Sequence, residues 1–221
     1  MENDPTRVHV RIDDALPLSA DLVTAVTIAC DRVEDAGGDA HLLLHVANTS
    51  TGARDWPGEV GVHVINKWEQ ALRRVERLGA ATFAVVEGVC TGPALEVLLA
   101  TDFRLMTPES RLSPAAGGRD WWPGMVLHRL ANQIGLTRAR QLVLFAGDVD
   151  PARAAELGLV DEVVNEPVER VAALSKLVRG REGSELAIRR RLLLEAVTTP
   201  FEESLGTHLA ACDRELRRCA S

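Results

Sequence analysis

Long apolar stretches are missing from this sequence. No segment approaches the roughly 20 consecutive apolar residues that a helix needs to span a bilayer, although 46% of the 221 residues are hydrophobic. The first ten residues, MENDPTRVHV, also lack the basic stretch and apolar run of a secretory signal peptide. These absences predict that the protein has no membrane partner and is cytoplasmic.

Cysteine is scarce and is not arranged for metal binding. The four cysteines, Cys30, Cys90, Cys212 and Cys219, form no C-x-x-C pair, and no histidines stand near them at zinc-ligand spacing. The sequence therefore predicts no metal site. Cys30 and Cys90 lie inside apolar segments, which is typical of small buried thiols in a reducing compartment.

Positive charge is in deficit, since 25 Lys and Arg residues face 32 Asp and Glu residues and the formal net charge is −7. An acidic balance argues against a surface that binds nucleic acid or an anionic membrane. It does not exclude a phosphate-bearing ligand, because a local basic pocket can persist on an acidic protein. Tyrosine is absent and lysine is rare, and we attach no function to either bias.

Short apolar segments alternate with helical patterns along most of the chain. Strands that are separated by helices are typical of a mainly parallel sheet covered on both faces. Ser19 is a suitable N-cap for the first helix, and the glycine pair at 37–38 is a suitable end. The predicted strands are 8–12, 41–46, 81–88, 102–106 and 159–164. The predicted helices are 19–38, 93–100, 125–134, 137–146 and 151–157, together with one that follows the 48–61 loop and ends at about residue 78.

The chain length suits one sizeable core better than two. We predict an α/β core over residues 1–165 and a helical C-terminal region over residues 166–221. The irregular segment 107–124 is long for a loop inside a domain, and loops of that length are usually functional or disordered. Its two tryptophans favour an ordered, functional loop.

The segment 88–102, GVCTGPALEVLLATD, joins a glycine-bounded turn to an apolar helix. It places Glu96 in the first turn of that helix and Pro93, which has no backbone N–H, beside it. Together with the D-F-R sequence at 102–104, the Pro-Gly pair at 123–124 and the phrase AELGLV at 155–160, this segment resembles the core of the crotonase (enoyl-CoA hydratase/isomerase) family. The resemblance extends over residues 81–164.

This resemblance implies a crotonase-like α/β fold whose C-terminal helices make trimer contacts, within a homotrimer or a hexamer. It implies an acyl-CoA thioester as the substrate, with CoA as part of the substrate and no metal or organic cofactor. In that family two backbone N–H groups hold the thioester oxygen while enolate charge develops, and carboxylates move the protons.

Carried over position by position, the resemblance makes Glu96 the catalytic acid/base. The first oxyanion donor corresponds to the backbone N–H of Ala53. The second corresponds to Pro93, so the oxyanion hole either keeps one donor or is rebuilt from the Ala94 N–H or another group. The second catalytic glutamate falls near Ala116 and is absent, so an ordinary fatty-acid hydratase is not expected. Alternatively, the macrodipole alone could favour Glu96 at a helix N-terminus.

Substrate contacts are expected beside these positions. Gly52 and Gly92 flank the two donor positions. Trp121 and Trp122 either line an acyl pocket for a flat aromatic product or belong to the core or a subunit contact. Asp120 could replace the lost carboxylate or bind a hydroxyl group of the substrate.

Among short members of the family, the sequence is similar to the auxiliary enoyl-CoA-hydratase-like proteins of 3,5-dihydroxyphenylglycine biosynthesis, which supply a glycopeptide-antibiotic precursor. This similarity implies dehydration and aromatisation of a polyketide-CoA intermediate, with a type III polyketide synthase and a sister hydratase as partners. Two alternatives stay open: a catalytically inactive scaffold that binds and activates the synthase, and another acyl-CoA isomerase or a thioester hydrolase.

Two other features have competing interpretations. His45 ends a predicted strand before the candidate donor loop and is either a satisfied structural group or an acid/base. The arginine run 189–191 is predicted to lie on a solvated or subunit-facing helix surface rather than on nucleic acid.

Overall fold

A computed structural model describes residues 7–12, 18–37, 40–47, 58–113, 122–145, 147–178 and 184–219. Within these ranges the main sheet has five parallel strands in the order β1-β2-β3-β5-β7, and a small parallel pair joins β4 to β6. The predicted mainly parallel sheet is therefore confirmed. The strands are β1 (Arg7–Ile12), β2 (His41–Ala47), β3 (Thr82–Glu87), β4 (Val89–Cys90), β5 (Phe103–Met106), β6 (Arg111–Leu112) and β7 (Glu162–Val163).

The helices follow the apolar periodicity of the sequence. Ser19 caps the first helix as predicted, because its hydroxyl accepts a hydrogen bond from the Leu22 N–H at 3.2 Å. The helices are α1 (Ala20–Ala36), α2 (Val62–Val75), α3 (Gly92–Leu99), α4 (Met125–Ile134), α5 (Leu136–Phe145), α6 (Pro151–Leu157), α7 (Pro167–Val178), α8 (Ser184–Ala196) and α9 (Phe201–Cys219). Among these helices none is both long and apolar enough to cross a bilayer.

Both faces of the main sheet are covered. Alternate residues of β2 point to opposite faces, so Leu44 and Val46 belong to a large core with α1 to α6, whereas Leu43 belongs to a smaller core with Phe83 and α7. In β2 and β3 the parallel register pairs Ala47 with Glu87. The chain segments that follow these two strands therefore leave the sheet at the same edge, and α3 begins there.

The arginine run departs from its prediction at one position. Arg190 is buried, and its guanidinium pairs with Asp102 at 2.5 Å and donates to the carbonyl oxygens of Leu78 and Ala80. The sequence interpretation was wrong for this residue because a carboxylate and two carbonyls distant in sequence give its charge the partners that burial requires. Arg190 thereby fixes α8 to the sheet.

Candidate active site

The turn from β3 into α3 is held by backbone hydrogen bonds. Gly88 and Gly92 have φ values of +106° and +52°, which residues with a side chain rarely adopt. The Gly88 carbonyl accepts from the Arg111 N–H at 2.9 Å, and the Cys90 carbonyl accepts from the Ser113 N–H at 2.8 Å. The sequence G-V-C-T-G thus makes a narrow, fixed entry into α3.

Thr91 occupies the N-cap position of α3 without capping it. An N-cap hydroxyl ordinarily accepts from the N–H of the second or third helical residue. Pro93 has no N–H, and the Ala94 N–H donates instead to the Thr91 carbonyl at 3.1 Å. The Thr91 hydroxyl is consequently buried with no hydrogen-bond partner among the described residues.

Glu96 lies one turn further along α3 and is only 2% exposed. Its Oε2 accepts a hydrogen bond from the indole Nε1 of Trp68 at 2.5 Å, whereas its Oε1 is buried and has no partner within the described part of the chain. Trp68 comes from α2 and is itself 1% exposed. One carboxylate oxygen is therefore held, and the other is available.

The environment of Glu96 favours the protonated carboxyl group. Its pKa is raised to about 7, mainly by burial and to a smaller extent by the neighbouring charge of Glu69. The Trp68 hydrogen bond and, more weakly, the positive charge of Arg129 oppose that shift. A group with this pKa can both give and take a proton near neutral pH.

A buried ion-pair network lies behind the carboxyl group. Arg129 of α4 donates to Glu76 at 2.7 Å and to Glu69 of α2 at 2.9 Å. Removing one partner from such a network leaves a buried charge uncompensated. The network therefore couples the helix that carries Trp68 to the helix that begins after Gly124.

The free oxygen of Glu96 faces the start of α4. A methyl group at Gly124 would lie 3.0 Å from Glu96 Oε1 and 2.6 Å from both Cδ1 and Nε1 of Trp122. Glu96 Oε1 and the Trp122 ring consequently both pack closely against Gly124, which is possible because residue 124 has no side chain. Trp122 is half-buried there.

The structure brings together some of the predicted site residues. Gly92, Pro93 and Ala94 form the first turn of α3, with Glu96 following them and Trp122 packed against the same glycine, Gly124, as Glu96. The remaining calls stay predictions because they lie outside the described residues: Gly52, Ala53, Ala116, Asp120 and Trp121. No cluster of three metal-binding side chains occurs in the described ranges.

His45 has its own partners away from Glu96. It bonds to the Glu87 carboxylate, and its ring stacks on His9 with centroids 5.5 Å apart. Its side chain points to the sheet face opposite Val46, which belongs to the core containing α3. This geometry favours the structural interpretation of His45.

Trp68 is the site residue that sequence reasoning missed. Its spacing with Leu72 and Val75 predicts only a core position, which is correct but incomplete. A buried indole N–H generally requires a hydrogen-bond partner. A tryptophan at a core position of α2 therefore indicates in the sequence that a polar group lies opposite this helix.

Comparison with known proteins gives the same family as the motif. Residues 61–217 match the family profile described as enoyl-CoA hydratase/isomerase. The chain is 42% identical over 212 residues to an enoyl-CoA-hydratase of Amycolatopsis orientalis, covering 96% of this chain and 97% of that protein. It is 26% identical over 153 residues to a short-chain-enoyl-CoA hydratase of Clostridium acetobutylicum, covering 69% of this chain and 58% of that protein.

Solved structures confirm the fold. An enoyl-CoA hydratase of Mycobacterium smegmatis superimposes with a TM-score of 0.80 at 15% identity, over 96% of this chain and 88% of that one. An enoyl-CoA hydratase/isomerase of Cupriavidus metallidurans gives a TM-score of 0.79 at 19% identity, over 96% and 85% of the two chains. The predicted crotonase-like α/β fold is thereby confirmed.

Proposed function

Because this chain belongs to the enoyl-CoA hydratase/isomerase family, we propose that it is a hydratase-type enzyme that removes water from an acyl-CoA thioester, with Glu96 as the acid/base. The observation that carries this proposal is the Glu96 carboxyl group. It is 2% exposed, its pKa is raised by burial to about 7, and its Oε1 has no partner among the described residues.

One carboxyl group is sufficient for this elimination if it acts twice. As a carboxylate, Glu96 takes the α-proton, and the electron pair of the broken C–H bond moves towards the thioester carbonyl as enolate charge. That charge then forms the C=C bond while the β C–O bond breaks, and Glu96 returns the same proton to the leaving oxygen. Water is released and the carboxylate is restored, so no oxidant or cofactor is required.

The developing enolate needs hydrogen-bond donors. The Ala53 N–H remains our assignment for the first donor, and for the second we assign the Thr91 hydroxyl. In support, Pro93 offers no N–H, the Ala94 N–H already donates to the Thr91 carbonyl, and the Thr91 hydroxyl is buried without a partner in the described chain. Ala94 can serve only by sharing or giving up that bond. A donor of this kind contributes roughly 10²–10³ in rate.

As the substrate we propose a cyclised polyketide-CoA whose dehydration produces the aromatic ring of 3,5-dihydroxyphenylacetyl-CoA, made by a type III polyketide synthase with a sister hydratase. Loss of water that creates an aromatic ring is downhill, so an oxyanion site altered at Pro93 is adequate for it. The half-buried Trp122 ring beside Glu96 offers a flat apolar surface to such a product. We further propose a cytoplasmic homotrimer or hexamer without a bound cofactor.

The test is the rate at which the type III synthase forms 3,5-dihydroxyphenylacetyl-CoA from malonyl-CoA, with wild-type protein or Glu96→Gln. Wild type should raise the rate and Glu96→Gln should not, because an amide of the same shape cannot transfer the proton. Folding of the variant is checked by its thermal unfolding.

The other outcomes separate the alternatives. Equal stimulation by both proteins would overturn catalysis in favour of a scaffold that activates the synthase. Free carboxylic acid or a shifted double bond among the products would indicate a thioester hydrolase or an isomerase. No stimulation by either protein would overturn the assignment to this reaction and leave the family membership intact.

A further inference from the structure

The two oxygens of Glu96 are not equivalent. Oε2 is bonded to Trp68, which is 1% exposed in the core face of α2, and Oε1 is buried without a partner in the described residues. A carboxyl group free to rotate would present either oxygen. The Trp68 indole N–H, which is held in place by core packing, gives the Glu96 carboxyl group a single orientation.

We propose that Trp68 is a positioning residue that holds Oε2 of Glu96, so that Oε1 alone exchanges protons with the substrate, and that Gly124, having no side chain, lets Oε1 and the Trp122 ring pack side by side at the start of α4. The inference deepens the proposed function by naming the reacting atom and the groups that fix it.

Three helices converge on the carboxyl group, and their relative position is fixed. Trp68 lies on α2, Glu96 on α3, and Gly124 immediately before α4. Arg129 of α4 bonds to Glu69, the neighbour of Trp68, at 2.9 Å. This ion pair, in which Arg129 is buried and Glu69 is partly buried, holds α2 and α4 together on either side of the carboxyl group.

Backbone conformation does not explain the glycine at 124. Its φ of −81° and ψ of −173° suit any residue. What disfavours a side chain at this position is therefore the closeness of the neighbouring atoms. An added methyl group would meet Trp122 at 2.6 Å and Glu96 Oε1 at 3.0 Å. At these distances the Trp122 ring and Glu96 Oε1 would have to shift to admit the methyl group.

Gly61 provides a matched control for Gly124. It is also an N-cap residue, with φ −79° and ψ 157°. A methyl group there would lie 2.7 Å from the side chain of His63, which is exposed and can move aside. Gly61→Ala therefore reproduces the local change without adding an atom beside Glu96.

The first test needs no substrate and uses the folded wild-type protein. The protein has four tryptophans, so its ¹⁵N-indole NMR spectrum is simple to follow across pH. The Trp68 indole resonance should move with the ionisation of Glu96 and should cease to move in Glu96→Gln; Trp68→Phe assigns it. A spectrum in which no indole resonance responds to Glu96 would overturn the positioning role.

The second test is kinetic, on dehydration of the acyl-CoA substrate. In Trp68→Phe we expect kcat to fall at least tenfold with KM little changed, and the rising limb of the pH profile to move to higher pH, because the lost donor stabilised the carboxylate. An unshifted profile would overturn the role of Trp68. Since the NMR test does not depend on the reaction, failure of the proposed function stays distinguishable from failure of this inference.

Gly124→Ala tests the close packing of Oε1 and Trp122 at the start of α4. We expect kcat/KM to fall by one to two orders of magnitude in Gly124→Ala and to change less than twofold in Gly61→Ala, with both variants folded by circular dichroism. Should Gly124→Ala retain the activity of Gly61→Ala, the close packing of Oε1 and Trp122 against Gly124 is not required for the reaction. The Trp68 resonance in Gly124→Ala verifies that the carboxyl group has kept its orientation.

Discussion

At the scale of single residues, burial suits Glu96 for proton transfer and also destabilises the folded protein. The side chain is 2% exposed, and its carboxylate form loses the solvation it has in the unfolded chain. Trp68 returns only part of that loss, through one hydrogen bond. Because the pKa of this carboxyl group is about 7 in the folded protein, the protein is less stable at alkaline pH.

Stability should depend on pH through this residue. The pKa of Glu96 is higher in the folded than in the unfolded chain, so its contribution is fully present below its ordinary pKa and is lost as pH rises through about 7. Between pH 5 and pH 8, wild type should lose on the order of 2–3 kcal/mol more unfolding free energy than Glu96→Gln. Urea titrations at the two pH values measure the difference, and parallel pH dependences would show that Glu96 ionises normally.

Thr91 allows activity and stability to be separated at one side chain. A buried hydroxyl without a partner destabilises by about 1–3 kcal/mol, so Thr91→Val should leave the unfolding free energy unchanged or higher. If the hydroxyl holds the thioester oxygen, kcat of Thr91→Val falls by roughly 10²-fold, whereas Thr91→Ser keeps most of it. Full turnover in Thr91→Val would remove the hydroxyl from the oxyanion site.

At the scale of elements, local patterns in the sequence predicted most helices and strands. The helix in α1 was predicted from its cap and apolar spacing, and the strands β2 and β3 from their short apolar runs. Strand limits were less predictable where they depend on pairing between distant segments. The predicted strand at 159–164 forms a strand only at Glu162–Val163, where β7 pairs with β5. The two-residue strand β6, inside the predicted irregular segment, likewise exists through its pairing with β4.

The attachment of α8 depends on one side chain that local patterns could not single out. Arg190→Lys replaces a guanidinium that binds Asp102 through two nitrogens and also reaches two carbonyls. An ammonium group cannot make this set of bonds, so we expect a loss of about 2–4 kcal/mol in unfolding free energy and faster hydrogen exchange in α8.

The matched control for this prediction is Arg191→Lys on the same helix. Arg191 is exposed, and within the described ranges its ion pair is with Glu195 at 3.0 Å, so its replacement should change the unfolding free energy by less than about 0.5 kcal/mol. Equal effects of the two substitutions would show that Arg190 does not fix α8 to the sheet.

At the scale of the whole molecule, the fold was predictable and the site only in part. Glu96 and Pro93 could be found because they share one continuous motif. Trp68 and Gly124 reach the same carboxyl group from elements 28 residues before and after it in sequence, and nothing local in the chain marks that convergence. Packing of α2, α3 and α4 on one sheet face creates the contacts.

The surface of α9 bears on assembly. Within the described structure no residue of this helix is buried, and its large apolar side chains lie four and seven residues apart, along one side. They are Phe201, Leu205, Leu209 and Leu216, with exposed fractions of 73%, 42%, 58% and 71%. An apolar stripe of this kind on a monomer is typical of a protein–protein contact, and it supports the proposed self-association.

Assembly can be tested on this stripe. Wild type at micromolar concentration should have three or six times the mass of one chain by sedimentation equilibrium. Leu209→Glu should shift that mass towards the monomer, because a carboxylate buried in an apolar contact has no partner. Arg217→Gln makes the same change in charge on another side of α9, where Arg217 is 80% exposed, and should sediment as wild type does. A wild-type protein with the mass of one chain would mean that the exposed stripe does not mediate self-association.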